Sequence, residues 1–266
     1  MAGSGAADGA VPLRAPSSAE IPAGPLGASI RRGHALVLAT RDSLPGFVGN
    51  RLRCVSCHLD EGRRPRSSPF VGVYGQFPQY RSRSGRVISM EDRINGCFQR
   101  SMNGKALPVG GADMRAIVAY MAFLSRGVPV GSRVVGQGFG EVAALEPDTA
   151  RGARVFATTC ARCHGADGHG TALAPPVWGP GSFNVGAGMA RPRTAAAFIR
   201  WNMPFDRPGS LSDQDAVDVA YYIDSKPRPD YAPKADDWPN GDPPPDLPYA
   251  TKAGRRLAVR AAGATP

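Results

Sequence analysis

Four segments of the chain place apolar residues at the three- and four-residue spacing of an amphipathic helix: 28–40, 112–125, 148–160 and 212–225. This spacing lines up apolar side chains on one face, so each segment is predicted to be a helix that packs against a neighbour. The last segment opens with the letters SDQD, which form a good N-cap sequence. The pattern therefore predicts a mainly α protein.

Composition and charge narrow the class of protein. The chain has 266 residues with 33 Gly and 26 Pro, which allows two domains with abundant loops. Residues 27–131 hold 16 Lys and Arg against 6 Asp and Glu, whereas residues 148–230 hold 9 against 8. The positive charge is nearly all Arg and has no Lys-rich tail, so it indicates anions near the first half and disfavours nucleic acid.

The chain shows no membrane-spanning segment and no signal peptide in its sequence. No apolar run approaches the roughly eighteen residues that a transmembrane helix needs, so no membrane span is expected. The first residues, MAGSGAADGA, lack a charged region followed by an apolar one. We therefore expect the numbering to start at the mature protein, or the true start to be absent.

Two Cys-x-x-Cys-His motifs, CVSCH and CARCH, are the strongest chemical signal. They supply four thiols and two imidazoles: Cys54, Cys57, His58, Cys160, Cys163 and His164. In c-type cytochromes the two thiols bond covalently to haem and the histidine binds its iron. Structural zinc and a thioredoxin-like redox pair are the alternatives, but the motifs lie in different halves of the chain and both carry the histidine. Two covalently bound haem c groups are predicted.

The motifs and helices together indicate an internal repeat of class I cytochrome c-like domains, each with one covalent haem. Ala119-Tyr120 and Ala220-Tyr221 occur in corresponding helices of the two halves. The predicted organisation is a flexible N-terminal segment, a first cytochrome c domain, a linker, a second cytochrome c domain and a Pro-rich C-terminal extension: 1–24, 25–131, 132–147, 148–228 and 229–266. Tyr231 and Trp238 can anchor the start of the extension as a strap. Haem attachment of this type places the protein in the periplasm.

A proline follows each proximal histidine at the same offset. Pro69 stands at +11 from His58, and Pro175 stands at +11 from His164. Its backbone carbonyl can accept the N–H of the proximal imidazole and fix the ring, as hydrogen-bond partners do for metal-bound histidines in general.

The distal iron ligands follow from comparing the two halves. Met203, in the letters IRWNMPF, stands at +39 from His164. The same offset from His58 falls on Cys97, the one cysteine outside the motifs. Met102 is an alternative ligand for the first haem, Met189 competes with Met203, and His34 can reach either iron in principle.

Cys97 is flanked by Arg93 at −4 and Arg100 at +3, offsets that share its helix face. A thiolate is a nucleophile and a strong iron ligand that lowers the reduction potential, and nearby cations favour it. Such a site suits a small dianion that carries its own soft sulfur. Thiosulfate is a dianion of this kind. Each arginine can also neutralise a haem propionate instead, and Arg100 is the one most readily assigned that role.

The letters RINGCFQRSMNG (93–104), CVSCHLDEGR (54–63) and FPQYRSRSGRV (77–87) closely resemble the periplasmic dihaem thiosulfate dehydrogenases, which form tetrathionate. The resemblance covers about residues 25–228. It implies that two thiosulfates are coupled oxidatively and that electrons pass from haem 1 to haem 2 and then to an external acceptor. The expected periplasmic location of the protein, taken alone, indicates a small soluble cytochrome c as that acceptor.

The resemblance also implies roles for particular residues. His58 and Cys97 would bind the iron of haem 1, and His164 and Met203 that of haem 2. Arg93 and Ser101 are implied as substrate contacts, with Arg83 as a weaker candidate. Two alternatives stay open: tetrathionate reduction as the working direction, and a non-catalytic dihaem electron carrier with Met102 on the first iron.

Overall fold

The described residues of this computed structural model, 10–256, are mainly helical with one small β-hairpin. The α-helices are Gly24–Leu38 (α1), Thr40–Ser43 (α2), Leu59–Gly62 (α3), Met90–Gly96 (α4), Ala112–Leu124 (α5), Thr149–Val155 (α6), Ala161–His164 (α7), Pro192–Asn202 (α8) and Asp213–Asp224 (α9). The strands are Gln79–Arg81 (β1) and Arg86–Ile88 (β2), which pair antiparallel with Gln79 opposite Ile88. Two π-helices are Cys97–Ser101 and Phe156–Cys160, and 3-10 helices are Ser18–Glu20, Cys54–Ser56, Tyr74–Gln76, Gly188–Ala190 and Ala232–Asp236.

All four predicted helices are present. Segments 28–40 and 112–125 correspond to α1 and α5, and segment 212–225 corresponds to α9. The Ser212 side chain accepts a hydrogen bond from the backbone N–H of Asp215 and caps α9, as the SDQD letters predict. Segment 148–160 continues from α6 into a π-helix. The mainly α class is confirmed.

The chain forms two compact units that alternate along the sequence. The first comprises the described residues up to Leu44, Arg53–Phe77 and Leu107–Glu141. The second comprises Pro45–Leu52, Pro78–Ala106 and the described residues from Val142 onward. The predicted linear boundaries therefore do not coincide with these units, because segment 78–106 packs with the later half.

In the first unit, α1 lies directly against α5. A methyl group on Gly33 would lie 1.9 Å from the carbonyl oxygen of Ala116, so only glycine permits this approach. Leu36 and Val37 on α1 and Leu124 on α5 are fully buried. The helix pair thus forms the core that supports the first Cys-x-x-Cys-His motif.

The second unit repeats this crossing between α6 and α9. A methyl group on Gly152 would lie 2.1 Å from the carbonyl oxygen of Asp218. A methyl group on Gly33 would also lie 2.9 Å from Tyr120 Cβ, and one on Gly152 would lie 2.9 Å from Tyr222 Cβ. In the structure Tyr120 therefore corresponds to Tyr222. The sequence analysis had matched Tyr120 with Tyr221, so the correspondence is shifted by one residue.

The chain termini contribute ordered contacts where they are described. Residues 1–9 of the segment predicted to be flexible lie outside the described residues, whereas Val11 exchanges backbone hydrogen bonds with Arg133 and Val135. In the C-terminal extension, Trp238 is 4% exposed and donates its backbone N–H to the Arg83 carbonyl at 2.8 Å. Across residues 10–256, the helices are all too short or too polar to cross a bilayer.

Candidate active site

The first Cys-x-x-Cys-His motif lies on a tight turn in the first unit. Cys54 starts a 3-10 helix, and the Thr40 hydroxyl donates to its sulfur at 3.2 Å. His58 Nδ1 donates to the carbonyl of Ser68 at 2.6 Å, which leaves Nε2 available to bind a metal. The prediction of the Pro69 carbonyl was wrong by one residue, because Ser68 adopts a left-handed φ of 51° that presents its own carbonyl to the ring.

The second motif repeats this arrangement in the second unit. Cys160 ends a π-helix, and Cys163 and His164 lie on α7. His164 Nδ1 donates to the Pro175 carbonyl at 2.7 Å, the partner predicted from the sequence. Burial lowers the pKa of His164, so its imidazole is neutral at physiological pH and can serve as a ligand.

The residues of both motifs fit covalent haem rather than zinc. Within residues 10–256 the structure places no group of three or more His, Cys, Asp or Glu that could hold a metal ion. In the second unit, Arg191 Nε and Arg228 Nη1 are buried nitrogens without a hydrogen-bond partner. Buried guanidinium donors of this kind are suited to the carboxylates of a haem.

Met203 lies at the C-terminal end of α8, the position predicted for the second distal ligand. Its side chain packs against the apolar cluster of the second unit that Phe156 and Trp178 help to form. Cys160 and Met189 pack against the same cluster. The choice of Met203 over Met189 therefore stays a prediction.

Cys97 lies at the junction of α4 and a π-helix in the second unit. Ser89 and Asp92 cap the start of α4 by exchanging side-chain to backbone hydrogen bonds at 3.2 Å in both directions. The backbone N–H of Met102 then bonds to the Cys97 carbonyl at 2.9 Å, a link across five residues. Single π-turns of this kind are frequent at functional sites because they shift side chains out of the regular register.

Arg93 contacts the thiol as the helical spacing predicts. Its Nη1 donates to Cys97 Sγ at 3.2 Å from one turn earlier on α4. Arg93 is exposed and Cys97 is half-buried, so the pair faces solvent that a small anion can reach. A guanidinium beside a thiol favours the thiolate, which is the nucleophilic form.

Arg100, in contrast, contacts Asp237 and Tyr231. Its two terminal nitrogens each donate to Asp237 at 2.7 Å, and its guanidinium lies 4.5 Å from the ring centre of Tyr231. The wider π-turn between residues 97 and 100 removes the α-helical register on which the shared face depended. Asp237 therefore occupies the place that the sequence analysis assigned to a haem propionate.

Arg83 comes from the turn of the β-hairpin and is held by the backbone. Its Nη1 donates to the Gly186 carbonyl at 2.7 Å, and its guanidinium lies 4.8 Å from the ring centre of Trp238. Burial and the neighbouring Arg100 lower the pKa of Arg83 to about 10, so it stays a cation at neutral pH. It contributes fixed positive charge to the second unit.

Two buried asparagines that the sequence analysis missed satisfy the carbonyls of the π-helix. Asn184 donates through Nδ2 to the Gln99 carbonyl at 2.9 Å. Asn50 donates through Nδ2 to the Ser101 carbonyl at 2.8 Å. Helix ends leave such carbonyls without intrahelical partners. No spacing pattern marks these asparagines, because their partners are distant in sequence.

The alternative ligands lie in different settings. His34 Nε2 pairs with Glu61 at 2.9 Å and its ring lies 5.0 Å from that of Tyr120, all in the first unit. Met102, the alternative ligand for the first haem, is buried, with 3% of its surface exposed.

His58 belongs to the first unit and Cys97 to the second. Their pairing on one iron stays a prediction.

Comparison with protein families identifies two cytochrome c domains. The family described as "SoxA/TsdA, cytochrome c domain" matches residues 49–130. The family described as "Cytochrome C oxidase, cbb3-type, subunit III" matches residues 147–223. Cytochrome c domains imply covalently bound haem c, in agreement with the two motifs.

Individual relatives match over most of the chain. A thiosulfate dehydrogenase of Psychrobacter arcticus is 46% identical over 252 residues, covering 92% of this chain and 77% of that protein. A thiosulfate dehydrogenase of Allochromatium vinosum is 46% identical over 230 residues, covering 82% of this chain and 85% of that protein. Among solved structures, the thiosulfate dehydrogenase TsdBA from Marichromatium purpuratum in its "as isolated" form has a TM-score of 0.76 and 38% identity. The match covers 82% of this chain and 50% of that one, so this chain spans about half its length.

Proposed function

The chain belongs to the thiosulfate dehydrogenase family, and from this premise we propose that it couples two thiosulfates oxidatively into tetrathionate, with Cys97 as the sulfur nucleophile. The observation that carries the residue assignment is the 3.2 Å hydrogen bond from Arg93 Nη1 to Cys97 Sγ. It combines a soft sulfur with an anion-binding cation at a half-exposed position, which is the pairing that a thiosulfate dianion requires.

Two haem c groups complete the proposed enzyme. Four cysteines attach them, Cys54 and Cys57 for haem 1 and Cys160 and Cys163 for haem 2. The proposed iron ligands are His58 and Cys97 for haem 1, and His164 and Met203 for haem 2. When bound, the haems would provide iron for the thiolate to coordinate and would serve as one-electron acceptors.

Arg93, Ser101 and Arg83 are the proposed substrate-binding residues. Arg93 and Ser101 hold the sulfonate oxygens of thiosulfate, so that its outer sulfur points to Cys97 Sγ. Arg83 is held by Gly186 and Trp238, and it acts mainly through its fixed charge. These groups replace water around a dianion with preorganised donors, which lowers the cost of bringing two anionic sulfurs together.

The sulfur chemistry proceeds in two steps at Cys97. In the first, a bond forms between Cys97 Sγ and the outer sulfur of thiosulfate, two electrons leave, and a cysteine S-thiosulfonate results. In the second, the outer sulfur of another thiosulfate attacks the sulfur of the adduct that is bonded directly to Cys97 Sγ. The Cys97 sulfur is the leaving group, so tetrathionate and the thiolate are released. The sum is two thiosulfates to one tetrathionate and two electrons, and the same steps reversed describe tetrathionate reduction.

A Cys97→Ala substitution tests the nucleophile. We expect thiosulfate-dependent haem reduction, followed by stopped-flow absorbance, to slow by about 10³-fold or more because the covalent route is lost. Met102→Leu is the matched control, since it removes the alternative ligand with little change in volume. Normal reduction in Cys97→Ala would refute Cys97 as the nucleophile, and an unmodified protein whose haems thiosulfate does not reduce would instead favour a non-catalytic electron carrier with Met102 on the first iron.

The setting of the reaction follows from the cofactor. Covalent haem attachment takes place outside the cytoplasm, so we place the enzyme in the periplasm. A small soluble cytochrome c of that compartment is the proposed electron acceptor. The described residues contain no membrane-spanning helix.

A further inference from the structure

The C-terminal extension delivers a buried carboxylate to the helix that carries Cys97. Asp237 is 5% exposed and accepts one hydrogen bond from each terminal nitrogen of Arg100, both at 2.7 Å. The Tyr249 hydroxyl donates to the same carboxylate at 2.7 Å. A buried carboxylate is stable only with such partners, so the geometry of this contact is tightly fixed.

The other atoms of Arg100 are held as well. Its Nη1 also donates to the Gly186 carbonyl at 3.2 Å, and its guanidinium stacks on Tyr231. The Arg100 backbone carbonyl accepts the N–H of Asn184 at 3.2 Å. Side chain and backbone of this residue are therefore anchored together, three residues after Cys97 on the same π-turn.

The two arginines that flank Cys97 have different partners. Arg93 donates to Cys97 Sγ, whereas Asp237 neutralises Arg100 and holds it on the extension. Without Asp237, the Arg100 guanidinium would lose its buried counter-ion. The π-turn would also lose the side-chain anchor that fixes the position of Sγ.

We propose that Asp237 is a positioning residue of the reaction: by holding Arg100 it fixes the π-helix, and thereby the Cys97 sulfur, in one orientation. Tyr249 supports it through the shared carboxylate oxygen. This inference rests on the proposed role of Cys97. It assigns to the C-terminal extension a part in chemistry that takes place on a helix in the first half of the chain.

The test compares Asp237→Asn with Asp236→Asn in the haem-loaded enzyme. Asp236 is the adjacent residue, and its ion pair with Lys252 at 2.6 Å is exposed, so it serves as the matched control. In Asp237→Asn we expect kcat to fall about 10- to 100-fold, as for a reacting atom displaced by about 1 Å. KM for thiosulfate should not rise, because Arg93 and Ser101 are unchanged. Asp236→Asn should keep both parameters.

A spectroscopic readout separates positioning from simple loss of stability. Electron paramagnetic resonance of the ferric protein should show one thiolate-ligated species in the parent and in Asp236→Asn, and more than one in Asp237→Asn. If Asp237→Asn folds poorly, Tyr249→Phe removes a single hydrogen bond and should give a smaller change in the same direction. An unchanged signal and kcat in both variants, even with a lower melting temperature, would overturn the inference. A thiolate signal that persists in Cys97→Ala would overturn the proposed function itself.

Discussion

At the residue scale, single buried polar side chains determine the shape of the candidate site. Asn184 is 1% exposed and uses all of its amide: Nδ2 reaches the Gln99 carbonyl and Asn103 Oδ1, and Oδ1 accepts the N–H of Gly186. Buried backbone groups are costly when they lack partners. One asparagine thus joins the π-helix to a loop that is distant in sequence.

We predict that Asn184→Ala destabilises the protein by about 2–4 kcal/mol, because it leaves a buried carbonyl and a buried N–H without partners and opens a cavity. Asn240→Ala is the control, since Asn240 is exposed and bonds only to the Tyr80 hydroxyl among the contacts described. It should change stability by less than about 0.5 kcal/mol. Urea unfolding of the haem-loaded proteins measures both, and equal effects would contradict this account.

The residue scale also shows where spacing is informative and where it is not. Arg93 lies one α-helical turn before Cys97, so its contact with the sulfur was predictable from sequence. Arg100 has a similarly favourable offset, but its partner is Asp237. A local offset predicts a contact only while the helix keeps its α-helical register and no distant residue competes for the side chain.

At the element scale, each unit depends on one close helix crossing. Gly33 lets α1 approach the backbone of α5, and Gly152 lets α6 approach the backbone of α9. Apolar periodicity predicts that these helices pack, because it identifies the buried face. The point at which they cross depends on backbone contact between segments that are distant in sequence.

We predict that Gly33→Ala and Gly152→Ala each lower the free energy of unfolding by about 3 kcal/mol, since the added methyl meets a backbone oxygen that cannot move without separating the helices. Gly46→Ala is the control, because nothing lies within 4 Å of a methyl group there and its φ is not positive. That variant should stay within about 1 kcal/mol of the parent. Thermal unfolding followed by far-UV circular dichroism distinguishes these outcomes, and a stable Gly33→Ala would mean that the helices can separate at little cost.

At the scale of the whole molecule, charge is the property with a direct functional consequence. The net charge is +10 in the full sequence, and residues 78–106 contribute Arg81, Arg83, Arg86 and Arg93 to the unit that holds Cys97. A positive surface raises the local concentration of a dianion and speeds its association. Salt screens this attraction, over about 10 Å at 0.1 M ionic strength.

We therefore predict that kcat/KM for thiosulfate falls about tenfold between about 20 mM and about 500 mM ionic strength at constant pH. Measuring haem reduction by thiosulfate alone avoids any effect on the electron acceptor. An uncharged hydroquinone as reductant is the control and should show little salt dependence. A flat profile for thiosulfate would mean that the charge of the protein does not guide the substrate.

The sequence by itself determined the features that local chemistry controls. Cys-x-x-Cys-His brings together the residues for covalent haem within one short motif. Apolar periodicity correctly predicted four helices, α1, α5, α6 and α9. The matching offsets of Met203 and Cys97 from the proximal histidines required only counting along the chain.

Only the tertiary structure decided which distant groups meet. It assigned Ser68 rather than Pro69 to His58, Asp237 to Arg100, and segment 78–106 to the second unit. It also revealed Asn184, for which no sequence pattern exists. The physical reason is that short-range spacing fixes the direction of a side chain on its own element, whereas its partner depends on how elements far apart in sequence pack and which buried groups need each other's hydrogen bonds.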